Sequence, residues 1–330
     1  MKVMIVGPVI GGSLPVARAT AAAFTGLGLD SVFLDYSPFE AEFHLSKDSG
    51  DSARTTAFLK ALDNALIDRI DRYKPDLVLG IAQSPMFNLD LLVRLRKSGV
   101  ILAFWFVEDY RILGYWRSIA PFFNIFFAIQ KEEFSRALSE VGAFNHYYLP
   151  AAFDNNLDVP AKQGVELQVS FMGAPYPNRV AIFSRLGLKG LRIFGAGWDR
   201  HPINGVAIGD RRITELEARW IYKHTKVNLN LHSSMEPARI GGGFVNPRTF
   251  ELAGLECFQL CDRRELLPDL YSEDDIVQFD TEEELVELVH YYLENESARA
   301  EKARNARRRT LRSHLYEHRV REIMEAVYKL

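Results

Sequence analysis

The sequence predicts an α/β protein built from two Rossmann-like, doubly wound domains. Three observations lead there. Short apolar β-rich runs alternate with longer segments of helical periodicity, the pattern of parallel strands joined by crossover helices. The runs are apolar almost throughout, as strands must be when helices cover both faces of their sheet. The alternation lapses once, in DNNLDVPAKQGVE at 154–166, and then resumes, which marks a linker. A chain of 330 residues accommodates two such domains. Facing a central cleft, they would place the chemistry in loops that follow strands.

The first series of strand runs is MKVMIVG, SVFLDY, DLVLGIA, ILAFWFVED, FNIFFAIQ and HYYLPAAF. Helical segments at 14–28 and 55–73 lie between them. The second series is LQVSFMG, LRIFGAGW, TKVNLNLHSS, CFQLCD and DIVQFD, followed by helical sequence from about residue 281. The expected domains are 1–155, 156–312 and a terminal helix, 313–330.

Bulk properties narrow the function. Hydrophobic residues make up 48% and charged residues 25%, a balance that supports a full core. The net charge of −3 gives no bulk attraction to nucleic acid. The arginine-rich stretch at 299–312 has helical spacing and reads as a solvated helix face. Cys257 and Cys261 make no metal-ligand set and no disulfide framework, so a reduced, cytoplasmic setting is expected. VILAFWFV and IAPFFNIFFAI are too short to span a bilayer and read as buried strands, with room left for a peripheral membrane contact.

The loops after strands carry the candidate chemistry. GPVIGGSLP offers Gly11 and Gly12 before a helix start, a place for an anion or simply a tight turn. Its spacing is not G-x-G-x-x-G, which weakens a dinucleotide oxidoreductase reading. FWFVEDYR puts Glu108 and Asp109 at a strand's carboxyl end, where a base or a hydroxyl-binding carboxylate would act and where an Asp cap is the alternative. Strand alternation turns the two apart, with Asp109 expected on the cleft side. FMGAPYPNR brings Gly173 and Arg179, and FGAGW brings Gly195, Gly197 and Trp198, which would cover a ligand ring or fill core.

VNLNLH ends in His232, and RIGGGFVNPRTFELAG follows, with Gly242 and Gly243 in its glycine run. Pro247 suits a first helical turn. Asn246, Arg248, Thr249 and Glu251 then belong to the helix start, Arg248 and Glu251 one turn apart on one face. A ribose diol would suit the glutamate and a diphosphate the arginine and helix terminus. The alternative is an Arg–Glu pair in water.

PRTFELAG…ECFQLCD, with DIVQFDTEEELVELV and the preceding FMGAPYPNR, IFGAGW and VNLNLH, resembles the spore-maturation CgeB-like glycosyltransferase family. The resemblance spans nearly the whole chain. It implies a GT-B fold, a nucleotide-diphosphate sugar as donor substrate, a hydroxyl acceptor, no metal and no cofactor, and it points to the retaining group. It places the donor ribose on Glu251 and the phosphates near Arg248 and Arg179. It also implies that the last helix, from about His314, returns to the N-terminal domain. Two positions depart from the pattern: Gly243 stands where many relatives carry a second glutamate, and Glu256 and Cys257 stand where small residues are usual. The competing expectation is a nucleotide-sugar-binding protein without turnover.

Overall fold

The computed structural model describes residues 1–48, 50–156, 166–237 and 239–330. Most of the linker expected at 154–166 lies outside the described residues. The chain divides into two compact units, Met1–Ala151 with Tyr316–Leu330, and Ala152–Leu315.

The first unit runs β1 (Val3–Val6), α1 (Ser13–Gly26), β2 (Ser31–Leu34), α2 (Glu40–Asp48), α3 (Ser52–Tyr73), β3 (Leu77–Ile81), α4 (Leu89–Lys97), β4 (Ile101–Phe106), α5 (Trp116–Ile119), β5 (Ile125–Ala128), α6 (Glu133–Glu140) and β6 (His146–Tyr148). Its strands form one parallel sheet in the order β2-β1-β3-β4-β5-β6. β1 and β3 are buried along their full length, which is why their sequences carry no polar alternation. The apolar run around 101–106 is β4 and that around 125–128 is β5. No helix among the described residues is long and apolar enough to cross a membrane. An aromatic cluster fills the layer between β4, β5 and α6: Phe104 stacks on Phe126 at 5.5 Å, and Trp116 meets Phe134 edge-on at 4.9 Å.

The second unit continues with β7 (Leu167–Met172), α7 (Pro177–Leu186), β8 (Leu191–Phe194), β9 (Ala207–Gly209), α8 (Glu215–Lys223), β10 (Thr225–Asn230), α9 (Pro247–Gly254), β11 (Gln259–Asp262), β12 (Val277–Phe279), α10 (Glu282–Glu294) and α11 (Glu296–Ser313). Its parallel sheet is ordered β12-β11-β10-β7-β8-β9. The last helix, α12 (Tyr316–Val327), belongs to the first unit. There Arg319 Nε donates to the carbonyls of Pro150 at 2.8 Å and Ala151 at 3.2 Å, and the Tyr316 ring meets Trp105 edge-on.

The arginine-rich segment is α11, and its cations do more than face solvent. Arg299 donates to the carbonyls of Tyr292 and Leu293 at the end of α10. Arg307 donates to Gly254 O at the end of α9, and Arg309 to Leu270 O. Helix C-termini leave carbonyls unsatisfied and carry negative potential, so Arg299 and Arg307 serve as side-chain caps, while Arg309 ties down a turn.

Gly254 is the glycine of this unit with the least room for a side chain. A Cβ there would lie 2.2 Å from Cγ of Phe153, whose ring is buried and faced by the Arg219 guanidinium at 5.3 Å. At 2% exposure the ring cannot turn away into solvent. Gly254→Ala is therefore expected to cost about 1–3 kcal/mol through overpacking, against the gain in helix propensity that alanine normally brings. Chemical denaturation measures this, and an unchanged midpoint would show that the ring relaxes freely.

Candidate functional site

In an open parallel sheet, ligands bind where consecutive connections leave in opposite directions. In the second unit that point lies between β7 and β10. Arg179, at the start of α7, spans it: Nε and Nη2 donate to Leu231 O at 3.1 and 2.9 Å, and Nη1 donates to Ala174 O at 3.0 Å. The side chain is buried, and burial with the nearby Arg248 charge lowers its pKa to about 9. Arg179 was expected as an open phosphate ligand. Instead its N–H groups tie the loop after β7 to the end of β10.

Two further expected ligand contacts, Trp198 and His232, are also internal. Trp198 is fully buried, donates from Nε1 to Gly173 O at 2.7 Å and meets Phe171 edge-on, so it fills core and covers no ligand ring. Gly195 and Gly173 serve that packing: at φ +137°, a Cβ on Gly195 would stand 2.6 Å from Gly173 O. Gly197, also at positive φ, opens the turn that carries Trp198.

His232 is the third such residue and the centre of a buried network. Its Nδ1 shares a 2.7 Å hydrogen bond with Asp262 Oδ1, and its Nε2 accepts the Asn246 amide at 2.9 Å. That acceptor role fixes the neutral Nδ1–H form. Burial and the Arg264 charge lower the imidazole pKa to about 4. Asp262 also receives Arg264 and the amides of His232 and Gly241, and these charges hold its carboxyl well below the usual range despite burial.

Asn246 and Thr249 close the network. Asn246 Oδ1 accepts the amide and the hydroxyl of Thr249, both at 3.0 Å, as the cap of α9, and its Nδ2 donates to Asn230 at 2.9 Å. Asn230 in turn donates to Thr249 Oγ1 and Gln259 Oε1. With Pro247 lacking an N–H, most donors of this helix start are already spent. A phosphate there depends on side chains and on the preceding loop.

Arg248 and Glu251 are not spent. Arg248 Nε donates to Tyr222 Oη at 3.2 Å, while its buried Nη1 has no hydrogen-bond partner among the described residues. Glu251 is half-buried, and its carboxylate accepts no hydrogen bond from a described residue. Burial raises its pKa against the pull of Arg248 and Arg219. An orphaned buried donor in a native protein calls for a partner.

The neighbouring loop is held open by backbone contacts. Gly242 N donates to Arg263 O and Gly242 O accepts from Glu265 N, with Gly242 at φ +148°. Gly243 follows, half-exposed.

In the first unit the corresponding crevice lies between β1 and β3. Gly11, at φ +116°, and Gly12, at the cap of α1, line the loop after β1. The buried Ser13 hydroxyl donates to Glu108 Oε1 at 2.9 Å, and Gln83 Nε2 donates to the same oxygen at 3.0 Å. Gln83 holds a left-handed φ of +66°, pinned where its N–H reaches Tyr115 Oη at 2.8 Å. Such strain persists only when the surroundings over-determine it. Burial pushes the Glu108 pKa up, opposed by the Ser13 hydrogen bond and aided by Asp109.

The two carboxylates do point apart, but Glu108 rather than Asp109 lies at this crevice. Asp109 Oδ1 accepts from the Arg111 amide at 3.0 Å and from Gln130 Nε2 at 3.1 Å, holding the turn after β4. Gln83, Tyr115, Tyr222, Asp262 and Arg264 were not singled out from sequence. Gln83, just after one apolar run, and Asp262, at the end of CFQLCD, carried a positional signal.

One group of potential metal ligands occurs among the described residues, His232, Cys261 and Asp262. Their ring nitrogens and carboxylate oxygens are engaged in the network above, and burial raises the Cys261 thiol pKa.

Comparison with known proteins shows what the chain is similar to. Residues 179–325 match the family described as "Glycosyl transferase-like". The spore protein CgeB of Bacillus subtilis (strain 168) is 21% identical over 254 residues, covering 71% of this chain and 77% of CgeB. Among solved structures, sucrose-phosphate synthase from Thermosynechococcus elongatus aligns over 100% of this chain and 99% of its own, with TM-score 0.67 and 11% identity. Anabaena Alr3699/HepE in complex with UDP-glucose aligns over 100% of both chains, with TM-score 0.66 and 12% identity.

Two six-stranded parallel sheets flanked by helices, with these neighbours, define the GT-B fold of two Rossmann-like units. The chain is similar to CgeB over most of its length, and its C-terminal half matches the glycosyl transferase-like family.

Proposed function

We propose that this chain is a glycosyltransferase that moves a sugar from a nucleoside-diphosphate donor to a hydroxyl acceptor without a metal ion. One observation carries the reading. On one face of α9, and among the described residues, Arg248 leaves a buried Nη1 without a partner and Glu251 leaves its carboxylate without a hydrogen bond. A ribose diol satisfies the carboxylate, and a diphosphate satisfies the guanidinium. The same guanidinium neutralises charge developing on the departing diphosphate, the task a metal performs elsewhere. The UDP-glucose held by the Anabaena neighbour is a ligand of this chemistry. The cytoplasmic setting belongs to the same proposal, with Cys257 and Cys261 both buried.

A thermal-shift screen across UDP, GDP, ADP, CMP and dTDP compounds tests donor binding, because a ligand of the folded state raises apparent stability by mass action. Stabilisation by none of them overturns the reading. Gly243, in place of a glutamate, favours a second reading, binding without turnover. Release of nucleotide from the donor separates the two.

Glu108 is the acceptor-side carboxylate in this proposal. Its raised pKa suits proton transfer nearer neutral pH, and its Ser13 and Gln83 contacts fix its orientation. If the acceptor's proton passes to Glu108, Glu108→Gln lowers turnover by about 10²–10⁴-fold. Asp109→Asn keeps an oxygen for the Arg111 and Gln130 bonds and leaves turnover within a few-fold. Full turnover in Glu108→Gln removes it as a base and favours retention, which needs none. Nucleotide affinity should stay unchanged in both variants.

A further inference from the structure

We propose that Glu265 recognises hydroxyl groups of the transferred sugar, an assignment that rests on the donor reading above. The donor is linear: ribose, diphosphate, sugar. With ribose at Glu251 and diphosphate at Arg248, the next group extends past the start of α9 onto the glycine segment before it.

The side chain nearest that segment's bare position comes from the loop after β11. A Cβ at residue 243 would stand 3.2 Å from Glu265 Oε2, so the carboxylate lies over the space that Gly243 leaves open. The backbone fixes this register: Glu265 N donates to Gly242 O at 3.0 Å, and Gly242 bridges Arg264.

Charge pairing singles out the same residue. A groove of about 680 Å³ is lined by Glu236, Arg239, Gly241, Gly242, Arg263 and Glu265, among others. Arg239 pairs with Glu236 at 3.0 Å, and Arg263 pairs with Asp280 at 2.8 Å. The Glu265 carboxylate takes no hydrogen bond or ion pair from a described residue, although it is exposed beside two arginines. A carboxylate has acceptor sites on both oxygens and can take two hydrogen bonds from a sugar diol. The glycines keep that approach open, and the carboxylate that this chain lacks at position 243 is supplied from a neighbouring loop.

The experiment is calorimetry on the full chain with three pairs of probes: UDP and UDP-glucose, GDP and GDP-glucose, ADP and ADP-glucose. In Glu265→Gln, affinity for the diphosphate that binds should stay within about twofold, while affinity for its glucose conjugate falls about tenfold. Adding Gly243→Glu to Glu265→Ala should recover part of that loss. Equal changes for both members of a pair, or no change for the conjugate, overturn the assignment. If no diphosphate binds the unmodified protein, the donor reading fails, and the assignment fails with it.

Discussion

Replacing Glu251 by alanine is expected to weaken nucleoside-diphosphate binding by about 10–100-fold while the protein stays folded. The size follows from losing charge-assisted hydrogen bonds to a ribose, each worth about 1.5–3 kcal/mol. Folding should survive because the carboxylate holds no structural hydrogen bond among the described residues and burial works against its charge. The variant removes a cost from the free protein, so its thermal stability should hold or rise. A sharper form of the test compares UDP with its 2′-deoxy analogue. The unmodified protein should prefer UDP, and Glu251→Ala should bind the two alike.

The pH dependence follows from the direction of the shift. Glu251's pKa is raised, so in the free protein it takes up a proton at a higher pH than an ordinary carboxylate does. A protonated carboxyl accepts the diol poorly. Affinity should therefore fall on acidification and begin to fall above the usual carboxylate range. Unchanged calorimetric affinity in a folded Glu251→Ala protein would remove the residue from the site.

Why could the helix position of Arg248 and Glu251 be read from sequence when the internal contacts of Arg179 and His232 could not? Helix periodicity is local. Pro247 and the Asn246 cap fix where α9 starts, and three-residue spacing fixes a shared face. The strand runs were legible for a similar reason, since burial on both sides of a parallel sheet writes itself into every residue. The fate of a side chain at a loop's edge depends instead on what the chain brings to it from afar. Arg179 is consumed by a carbonyl 52 residues away, and His232 by a carboxylate 30 residues away.

The same holds for α11. Its arginines looked like a solvated face because nothing local shows that the ends of α9 and α10 lie beneath them. The short edge strand β9 and the weakly amphipathic α2 gave no periodic signal to read. Gln83 was missed because a left-handed backbone at a residue other than glycine is imposed by its contacts and not encoded by its type.

The largest loss of stability is expected at Asp262, which was not singled out from sequence. The carboxylate is fully buried and gathers Arg264, the His232 ring and two backbone amides. Asp262→Ala leaves a buried guanidinium and three other donors around a cavity. Breaking a buried pair by removing one partner typically costs about 3–5 kcal/mol. Asp262→Asn keeps the shape and one acceptor, so it should lose less stability. That variant then tests the route to the ligand: Asp262 orients His232, His232 Nε2 receives the Asn246 amide, and Asn246 caps the helix carrying Arg248 and Glu251. Nucleotide affinity should weaken in folded Asp262→Asn although no atom of residue 262 is assigned to the ligand. The network also sets the acid response. The folded state keeps His232 neutral down to about pH 4, whereas the unfolded chain protonates it near 6.5. Stability should therefore decline as pH falls through that interval. Asp262's lowered pKa contributes stability above the ordinary value of 3.8 that is lost only as pH falls below it. Urea midpoints between pH 7.5 and 4 read the histidine contribution, and His232→Gln should flatten that part of the curve. A loss under about 1 kcal/mol in Asp262→Ala would mean that the cluster is replaceable filler and that α9 is held by its apolar face alone.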